Sequence, residues 1–209
     1  MKLKVCGMRD LDNCQRLIAE VQPDWMGIIL YPPSPRYVPQ HLAAHIQGLQ
    51  VEKVGVFVNE SLENIKKNIV DFGLSALQLH GTEAPEFVEN VKNETMLEVL
   101  KVISVKDKIN WTLLEKYLPW TDYFLFDTYT KQHGGSGKQF NWNLLEDYPF
   151  EPPFLLSGGI GPDDANTLKQ VKPKLPKMAG VDINSGFEIS PGLKEIEKIK
   201  GFKRKVVSC

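Results

Sequence analysis

Leu155-Leu156-Ser157-Gly158-Gly159-Ile160 is a short apolar run that ends in a glycine-rich turn, and Gly180-Val181-Asp182-Ile183-Asn184-Ser185-Gly186 repeats this pattern further along the chain. Backbone N–H groups at such turns can converge on an anion, because glycine lets the backbone approach a ligand closely. One glycine turn is weak evidence, whereas two after successive apolar runs favour a phosphate site. The expected contacts to the anion are at Gly158, Gly159, Ser185 and Gly186, and Asp182 in the second segment is expected to contact the substrate.

Other short apolar runs, rich in branched and aromatic residues, recur along the whole chain. Several are continuous rather than alternating, which is typical of strands buried on both faces of a parallel sheet. The expected strands are Leu3 to Cys6, Trp25 to Leu30, Val54 to Val58, Ala76 to Leu79, Leu97 to Ile103, Tyr123 to Phe126, Phe154 to Leu156 and Met178 to Ile183.

Stretches with helical spacing lie between the apolar runs. Asp10 and Ser61 are expected N-caps, and Gly73 is expected to end the helix that follows Ser61. Further helices are expected after Pro39, after Pro162, over 110–117, over 142–147 and, at the end of the chain, through Leu193, Ile196 and Ile199.

Strands and helices that alternate about eight times form either an open doubly wound sheet or a closed barrel. The open form would be favoured by a G-x-G-x-x-G motif after the first strand, and the chain has none there. The glycine turns instead follow the seventh and eighth strands, where (β/α)8 barrels commonly hold phosphate. The sequence therefore predicts an α/β chain with the (β/α)8 TIM-barrel fold, and the absence of a linker-like segment predicts one domain over residues 1–209.

The composition argues against several classes of partner. Charged residues make up 24% of the chain and the net charge is −1, so nothing favours nucleic acid or an anionic membrane. No apolar stretch approaches the roughly 18 to 20 residues that a membrane helix needs, and the first residues lack the apolar region of a secretory signal. Cys6, Cys14 and Cys209 are odd in number and lack zinc-ligand spacing, so we expect free thiols in the cytoplasm.

Two reactive side chains end predicted strands at the face where active sites of such barrels lie. Cys6 ends the first strand, and its thiolate would be a base in an electropositive setting; otherwise a buried cysteine is simply a small apolar residue. Asp127 ends the sixth strand and would be a general acid across the barrel mouth; the alternatives are a helix cap or an ion-pair partner. Together they predict proton transfer on a sugar phosphate.

Further candidates lie in the loops of the same face. Arg36 follows the second strand, and its guanidinium suits a substrate carboxylate, although a loop arginine is often only at the surface. Gln78 and His80 end the fourth strand and either line the pocket or support it. Gly135 lies in the glycine-rich loop 133–138, which lacks P-loop spacing and either approaches the ligand or is simply flexible.

In this order and spacing, the motifs resemble the phosphoribosylanthranilate isomerase family along essentially the whole chain. The matching segments are Lys4-Val5-Cys6-Gly7-Met8, Ser34-Pro35-Arg36-Tyr37-Val38, Gly55-Val56-Phe57-Val58-Asn59, Leu77-Gln78-Leu79-His80-Gly81, Asp127-Thr128, Gly134-Gly135-Ser136-Gly137 and the two glycine turns.

The resemblance implies an isomerase of tryptophan biosynthesis that carries out an Amadori rearrangement on a phosphoribosyl amine. It assigns the acid to Asp127, the base to Cys6, the anthranilate carboxylate to Arg36 and the phosphate to the glycine turns. It implies neither a metal nor an organic cofactor, because the iminium formed from the substrate is the electron sink. The small-molecule sugar phosphate would be the only partner, apart from a second copy of the chain if the enzyme is a homodimer rather than a monomer.

Two other interpretations stay open at this point. One is another phosphate-binding barrel: a sugar-phosphate epimerase, which needs metal-binding histidines and aspartates on several strands, or a histidine-pathway isomerase, which uses two aspartates. The other is a barrel that binds a ligand or a partner enzyme without turning it over. The presence of both Cys6 and Asp127 argues against a barrel that only binds.

Overall fold

Eight parallel strands close on one another, with β1 hydrogen-bonded to β8, so the predicted (β/α)8 barrel is confirmed. The structure, a computed structural model, describes residues 1–129 and 139–207. The barrel strands are β1 (Lys2–Cys6), β2 (Trp25–Ile29), β3 (Lys53–Phe57), β4 (Ala76–Leu79), β5 (Glu98–Val105), β6 (Tyr123–Thr128), β7 (Phe154–Leu156) and β8 (Met178–Ile183). Each expected strand is present with similar ends.

Helices pack around the outside of the strands. They are α1 (Leu11–Glu20), α2 (Ala43–Gln47), α3 (Leu62–Phe72), α4 (Pro85–Thr95), α5 (Trp111–Glu115), α6 (Ala165–Val171) and α7 (Ile196–Val207). Short 3₁₀ turns precede α2 and α6, and another takes the place of the helix expected over 142–147. Within the described residues, no helix is long and apolar enough to cross a membrane.

The predicted helix ends are confirmed where a side chain caps the backbone. The Asp10 carboxylate accepts a hydrogen bond from the Asn13 N–H at 2.8 Å and begins α1. The Ser61 hydroxyl accepts one from the Asn64 N–H at 3.2 Å and begins α3. Gly73 ends α3 with φ of 61°, a left-handed conformation that favours glycine. These signals are local, so they can be recognised in the sequence alone.

The end of the chain differs from the prediction. Leu193 does not belong to the last helix: it lies in β10 (Leu193–Lys194), which pairs antiparallel with β9 (Glu188–Ser190). The side chain of Asn13 holds β10 in place, because it accepts from the Lys194 N–H at 2.8 Å and donates to the Lys194 carbonyl at 2.9 Å. This is a contact between distant parts of the chain, which hydrophobic spacing does not reveal. Helix α4 was not predicted, although Pro85 occupies its first turn.

The inside of the barrel is layered. An apolar cluster at one level is formed by Trp25, Val54, Ala76, Leu100, Val102, Leu125 and Leu155. Nearer the carboxyl ends of the strands, a small cluster of Cys6, Ile29 and Val56 forms the floor of a cleft. The outward-facing residues of the strands pack against the helices instead and belong to the main core. The barrel therefore presents its reactive groups at one end.

Candidate active site

Cys6 faces the inside of the barrel at the end of β1. Successive side chains of a strand point to opposite faces, so Lys4 shares the inner face with Cys6 while Leu3 and Val5 join the outer core. The neighbouring residue on β2 is Gly27, which has no side chain. A Cβ at Gly27 would lie 2.7 Å from the Cys6 sulfur, so the glycine makes room for the thiol.

The thiol of Cys6 is buried among charged groups. Burial raises its pKa, the charges of Lys4 and Lys194 lower it, and Asp182 raises it; the net pKa lies above the usual thiol value. The protonated thiol is therefore the dominant form at neutral pH. The electropositive setting that a cysteine base requires is present, but burial outweighs it.

Lys4 and Asp182 form an ion pair inside the barrel. They are partners in the register between β1 and β8, and the Lys4 Nζ lies 3.0 Å from the Asp182 Oδ1. Lys4 is 0% exposed and Asp182 is 5% exposed. Burial lowers the pKa of Lys4, but Asp182 and Cys6 raise it above its usual value, so the ammonium keeps its charge.

Asp127 lies at the end of β6 beside His80. Its Oδ1 accepts a hydrogen bond from the Thr128 N–H at 2.8 Å, and its Oδ2 lies 3.4 Å from the His80 Nε2. The Gln78 amide nitrogen lies 2.9 Å from the His80 Nδ1 and donates to it. When Nδ1 accepts this hydrogen bond, a neutral imidazole carries its proton on Nε2, the ring nitrogen that lies 3.4 Å from Asp127. The Oε1 of Gln78 is buried without a hydrogen-bond partner among the described residues.

Arg36 reaches the cleft from the loop after β2, but most of its guanidinium is already bound. Its Nε and Nη2 donate to both carboxylate oxygens of Glu188, at 2.6 to 3.1 Å. Glu188 also accepts from Lys194 Nζ at 2.7 Å. Burial raises the pKa of Glu188, but Arg36 and Lys194 hold it below the usual value. A substrate carboxylate would meet the remaining N–H groups of Arg36, since both N–H groups of the fork facing Glu188 are engaged.

The two glycine turns lie side by side. Gly158 and Gly159 have φ of 85° and 68°, and a Cβ at Gly158 would lie 2.3 Å from the Thr128 Oγ1. A Cβ at Gly186 would lie 2.5 Å from the Ile160 carbonyl oxygen, so the turns also approach each other closely. Within the described part of the chain, these three glycines and Ser185 have backbone N–H groups without a hydrogen-bond partner. Such groups can receive an anion.

One cleft brings together most of the residues that the sequence singled out. The space inside it that protein atoms leave unoccupied, counted together with the part open to solvent, is about 770 Å³. Its lining includes Cys6, Arg36, Gln78, His80, Asp127, Gly158, Gly159, Asp182 and Ser185. Gly186, the residue after Ser185, is not among the residues that line the cleft. Gly135 and Cys209 are outside the described residues, as is the loop 133–138.

Sequence reasoning missed Lys4, Glu188 and Lys194. A signal for Lys4 was present, because a lysine inside an apolar strand, two residues before Cys6, must find a buried partner. Glu188 and Lys194 gave no such signal, since they belong to a segment without strong periodicity. His41 and His45 are exposed on the surface of the α2 region. The described residues contain no group of three or more histidine, cysteine, aspartate or glutamate side chains arranged to hold a metal ion.

Comparison with known proteins shows a family match along nearly the whole chain. Residues 3–205 match the family model described as N-(5'phosphoribosyl)anthranilate (PRA) isomerase. A relative from Phocaeicola vulgatus, named N-(5'-phosphoribosyl)anthranilate isomerase, is 45% identical over 202 residues, covering 97% of this chain and 96% of the relative.

Solved structures agree with the sequence match. The phosphoribosyl anthranilate isomerase from Thermotoga maritima superposes with a TM-score of 0.84 at 31% identity, covering 100% of both chains. Another solved phosphoribosyl anthranilate isomerase, in complex with reduced 1-(o-carboxyphenylamino)-1-deoxyribulose 5-phosphate, superposes with a TM-score of 0.81 at 28% identity over 100% of both chains. The similarity therefore extends over the whole barrel, including the end that carries the cleft.

Proposed function

Because the chain belongs to the N-(5'-phosphoribosyl)anthranilate isomerase family, it is an isomerase of tryptophan biosynthesis, and we propose that Cys6 and Asp127 carry out its proton transfers. The reaction converts N-(5'-phosphoribosyl)anthranilate into 1-(2-carboxyphenylamino)-1-deoxyribulose 5-phosphate by an Amadori rearrangement. The observation that carries the residue assignment is that a thiol from β1 and a carboxylate from β6 line the same cleft.

Ring opening is the first proton transfer. Asp127 donates a proton to the ring oxygen of the ribofuranose, the bond between that oxygen and C1' breaks, and the anilino nitrogen supplies the electrons that form an iminium. His80, 3.4 Å from Asp127, orients the carboxyl group. General acid catalysis of this kind contributes roughly 10² to 10⁴ in rate.

Deprotonation follows at the neighbouring carbon. The Cys6 thiolate removes the proton on C2', and the electron pair of the C–H bond moves into the iminium to give an enolamine. The C2' hydroxyl proton is lost as C1' gains one, which yields the ketone. Exchange with solvent removes the proton from Cys6 and restores the one on Asp127. The nitrogen is the electron sink, so these steps use neither a metal nor an organic cofactor.

Binding is assigned to groups at the two ends of the cleft. The free N–H groups of the glycine turns support a site for the 5'-phosphate, and Arg36 supports one for the anthranilate carboxylate. Between them, Gln78 and Asp182 lie within reach of the sugar hydroxyls. Gly135 is proposed to contact the substrate from its loop.

The remaining proposals concern the state of the whole chain. We propose one domain over residues 1–209, since the closed barrel uses strands from Lys2–Cys6 to Met178–Ile183, and we propose that it acts as a monomer or a homodimer. We propose the cytoplasm as its compartment, because a thiol base is active only when reduced. The free thiols of Cys6 and Cys14 support this.

Replacement of Cys6 tests the residue assignment. Cys6→Ala should lower kcat by about 10² or more while KM changes little, because proton abstraction belongs to the transition state. The anthranilate moiety makes turnover measurable by fluorescence. Cys14→Ala is the matched control: Cys14 is buried in the outer core, so its loss should affect stability and leave kcat unchanged. Turnover of Cys6→Ala near the wild-type rate would remove Cys6 from the mechanism.

A further inference from the structure

The ion pair between Lys4 and Asp182 lies beside the proposed base, and neither group takes part in the proton transfers above. We propose that Lys4 is a positioning residue whose buried ammonium stabilises the thiolate of Cys6, and that Asp182 holds this ammonium in place while opposing the thiolate. The inference rests on the proposed function, because it concerns the residue assigned as the base.

The geometry places both groups on one side of β1. Lys4 and Cys6 are two residues apart on the inner face, a separation of about 6.6 Å along a strand. The Lys4 Nζ lies 3.0 Å from the Asp182 Oδ1 on β8, and Lys4 is 0% exposed to solvent. In such surroundings charges interact more strongly than in water. Burial of a lysine in a barrel core is costly, so a charge retained there calls for an explanation.

Other charged groups face Cys6 from the elements around it. Lys194 on β10 is the second cation, but its Nζ is bound to Glu188 at 2.7 Å and to the Asn184 amide oxygen at 2.6 Å. Arg36 is likewise bound to Glu188. Across the cleft, Asp127 and His80 face each other. Lys4 is thus the cation next to the thiol on the inner face of β1; Lys2, two residues further away on the same face, packs over the Trp25 ring at 4.1 Å.

The electrostatics of the site agree with this geometry. Burial raises the pKa of Cys6, Lys4 is the largest of the influences that lower it, and Asp182 raises it again. The ammonium keeps all of its protons during the reaction: the C2' proton goes to the sulfur, and Lys4 only stabilises the negative charge that the sulfur carries beforehand. Lys4 and Asp182 should therefore have opposite effects on Cys6.

The opposite effects expected of Lys4 and Asp182 on the reactivity of Cys6 can be tested by alkylation. Full-length variants are treated with iodoacetamide, and the alkylation rate of the Cys6 peptide is followed by mass spectrometry from pH 6 to 10. Lys4→Met should slow alkylation at pH 8 at least tenfold and move its midpoint to higher pH. Asp182→Asn should speed it at least threefold and move the midpoint to lower pH. Lys4→Arg, which keeps the charge, should restore most of the reactivity lost in Lys4→Met.

A double variant keeps the test independent of folding. Lys4→Met leaves the Asp182 carboxylate buried without its partner, which destabilises the fold. In Lys4→Met/Asp182→Asn both charges are removed together, and circular dichroism checks that the fold is retained. This double variant should be alkylated at least tenfold more slowly than Asp182→Asn alone. Equal rates for these two proteins, or the same direction of change in both single variants, would overturn the inference.

Turnover separates this inference from the assignment of the base. If Cys6 is the base and Lys4 stabilises its thiolate, the pH profile of kcat/KM in Lys4→Met should shift to higher pH with the alkylation midpoint. A normal rate in Cys6→Ala would defeat the proposed role of Cys6 itself. An inactive Cys6→Ala together with unchanged alkylation in the Lys4 variants would defeat only the role of Lys4.

Discussion

Gly27 shows how much a missing side chain can matter at the scale of one residue. It pairs with Cys6 across β1 and β2, and a Cβ there would lie 2.9 Å from the Cys6 Cα as well as 2.7 Å from its sulfur. The Cα belongs to a central strand and cannot swing aside. The position of the thiol in the cleft therefore depends on a neighbouring residue that touches no substrate.

Gly27→Ala should displace Cys6 and lower kcat roughly 10- to 100-fold, since misplacing a catalytic group by about 1 Å can cost two orders of magnitude. Steady-state fluorescence kinetics measure this. Gly201→Ala in α7 is the control: nothing lies within 4 Å of the added Cβ, and alanine favours a helix by about 1 kcal/mol. Its kcat should equal that of the wild type. An unchanged kcat in Gly27→Ala would mean that the strands adjust without moving the thiol.

Asp127→Asn removes an acidic proton and keeps the size of the side chain. We expect kcat to fall by about 10² or more, while the melting temperature stays within a few degrees of the wild type, because Asp127 is partly exposed and outside the core. Kinetics and thermal melting on the same preparation measure both. Full activity, or a loss explained by unfolding alone, would contradict the role of general acid.

At the scale of the element, the hairpin of β9 and β10 completes the site although it lies outside the barrel. Its Glu188 holds Arg36 through two guanidinium nitrogens, and its Lys194 joins both Glu188 and Asn184. The hairpin is itself held to α1 by Asn13. The orientation of Arg36 is thus fixed by a segment far from it in sequence.

Arg36→Met should raise KM about 10- to 150-fold with a smaller effect on kcat, which corresponds to the roughly 1.5 to 3 kcal/mol of a hydrogen bond to a charged group. Glu188→Gln weakens the hydrogen bonds that hold the Arg36 guanidinium but keeps the arginine itself. It should therefore raise KM less than Arg36→Met does. Initial rates over a range of substrate concentrations distinguish the two. A fall in kcat alone for Arg36→Met would assign the arginine to the chemistry.

In the turn after β7, the groups proposed to bind phosphate are backbone N–H groups rather than side chains. Inorganic phosphate should compete with substrate and raise the melting temperature, since a ligand that binds only the folded state stabilises it by RT ln(1 + [L]/Kd). Gly159→Val should abolish both effects, because Gly159 has a φ of 68° that valine does not tolerate. Cys6 alkylation in that variant checks that the rest of the site is intact. Failure of phosphate to compete with the wild type would argue against the phosphate site.

At the scale of the whole molecule, the closed barrel lets charged groups lie at its centre. Its layers of branched and aromatic side chains shield the interior, where Lys4 is buried beside Asp182. Outside the barrel interior, Lys101 on the outer face of β5 is buried beside Glu83, and Lys194 in the hairpin is buried beside Glu188. Closure also leaves no edge strand in the barrel. Burial on both faces explains why ionisable groups inside it have shifted pKa values.

The raised pKa of the Cys14 thiol should make the free energy of unfolding depend on pH. Burial raises its pKa from the ordinary 9.0 to about 12, so above pH 9 the unfolded thiol ionises while the folded one stays protonated. The unfolded state then binds fewer protons, and the free energy of unfolding should fall with rising pH by up to about 1.4 kcal/mol per unit between pH 9 and 11. Urea titrations should show a shallower fall in Cys14→Ala. Parallel pH profiles for the two proteins would contradict the shift.

Local signals and the order of motifs were enough to predict much of this protein. The caps at Asp10 and Ser61, the end of α3 at Gly73 and the strands themselves depend on residues close in sequence, so the sequence by itself determined them. The barrel also followed from it, because glycine turns after the seventh and eighth strands favour closure over an open sheet. The residues expected at the cleft came from the ends of those same strands.

Tertiary structure decided what depends on partners from distant parts of the chain. It paired Lys4 with Asp182 across the seam between β1 and β8, and it bound Arg36 to Glu188. It placed Leu193 in a hairpin rather than a helix, because the Asn13 side chain forms two hydrogen bonds with the backbone of Lys194 in β10. The charge and hydrogen-bonding capacity of each residue can be read from the sequence, but which groups satisfy one another depends on how the closed barrel brings its strands and loops together.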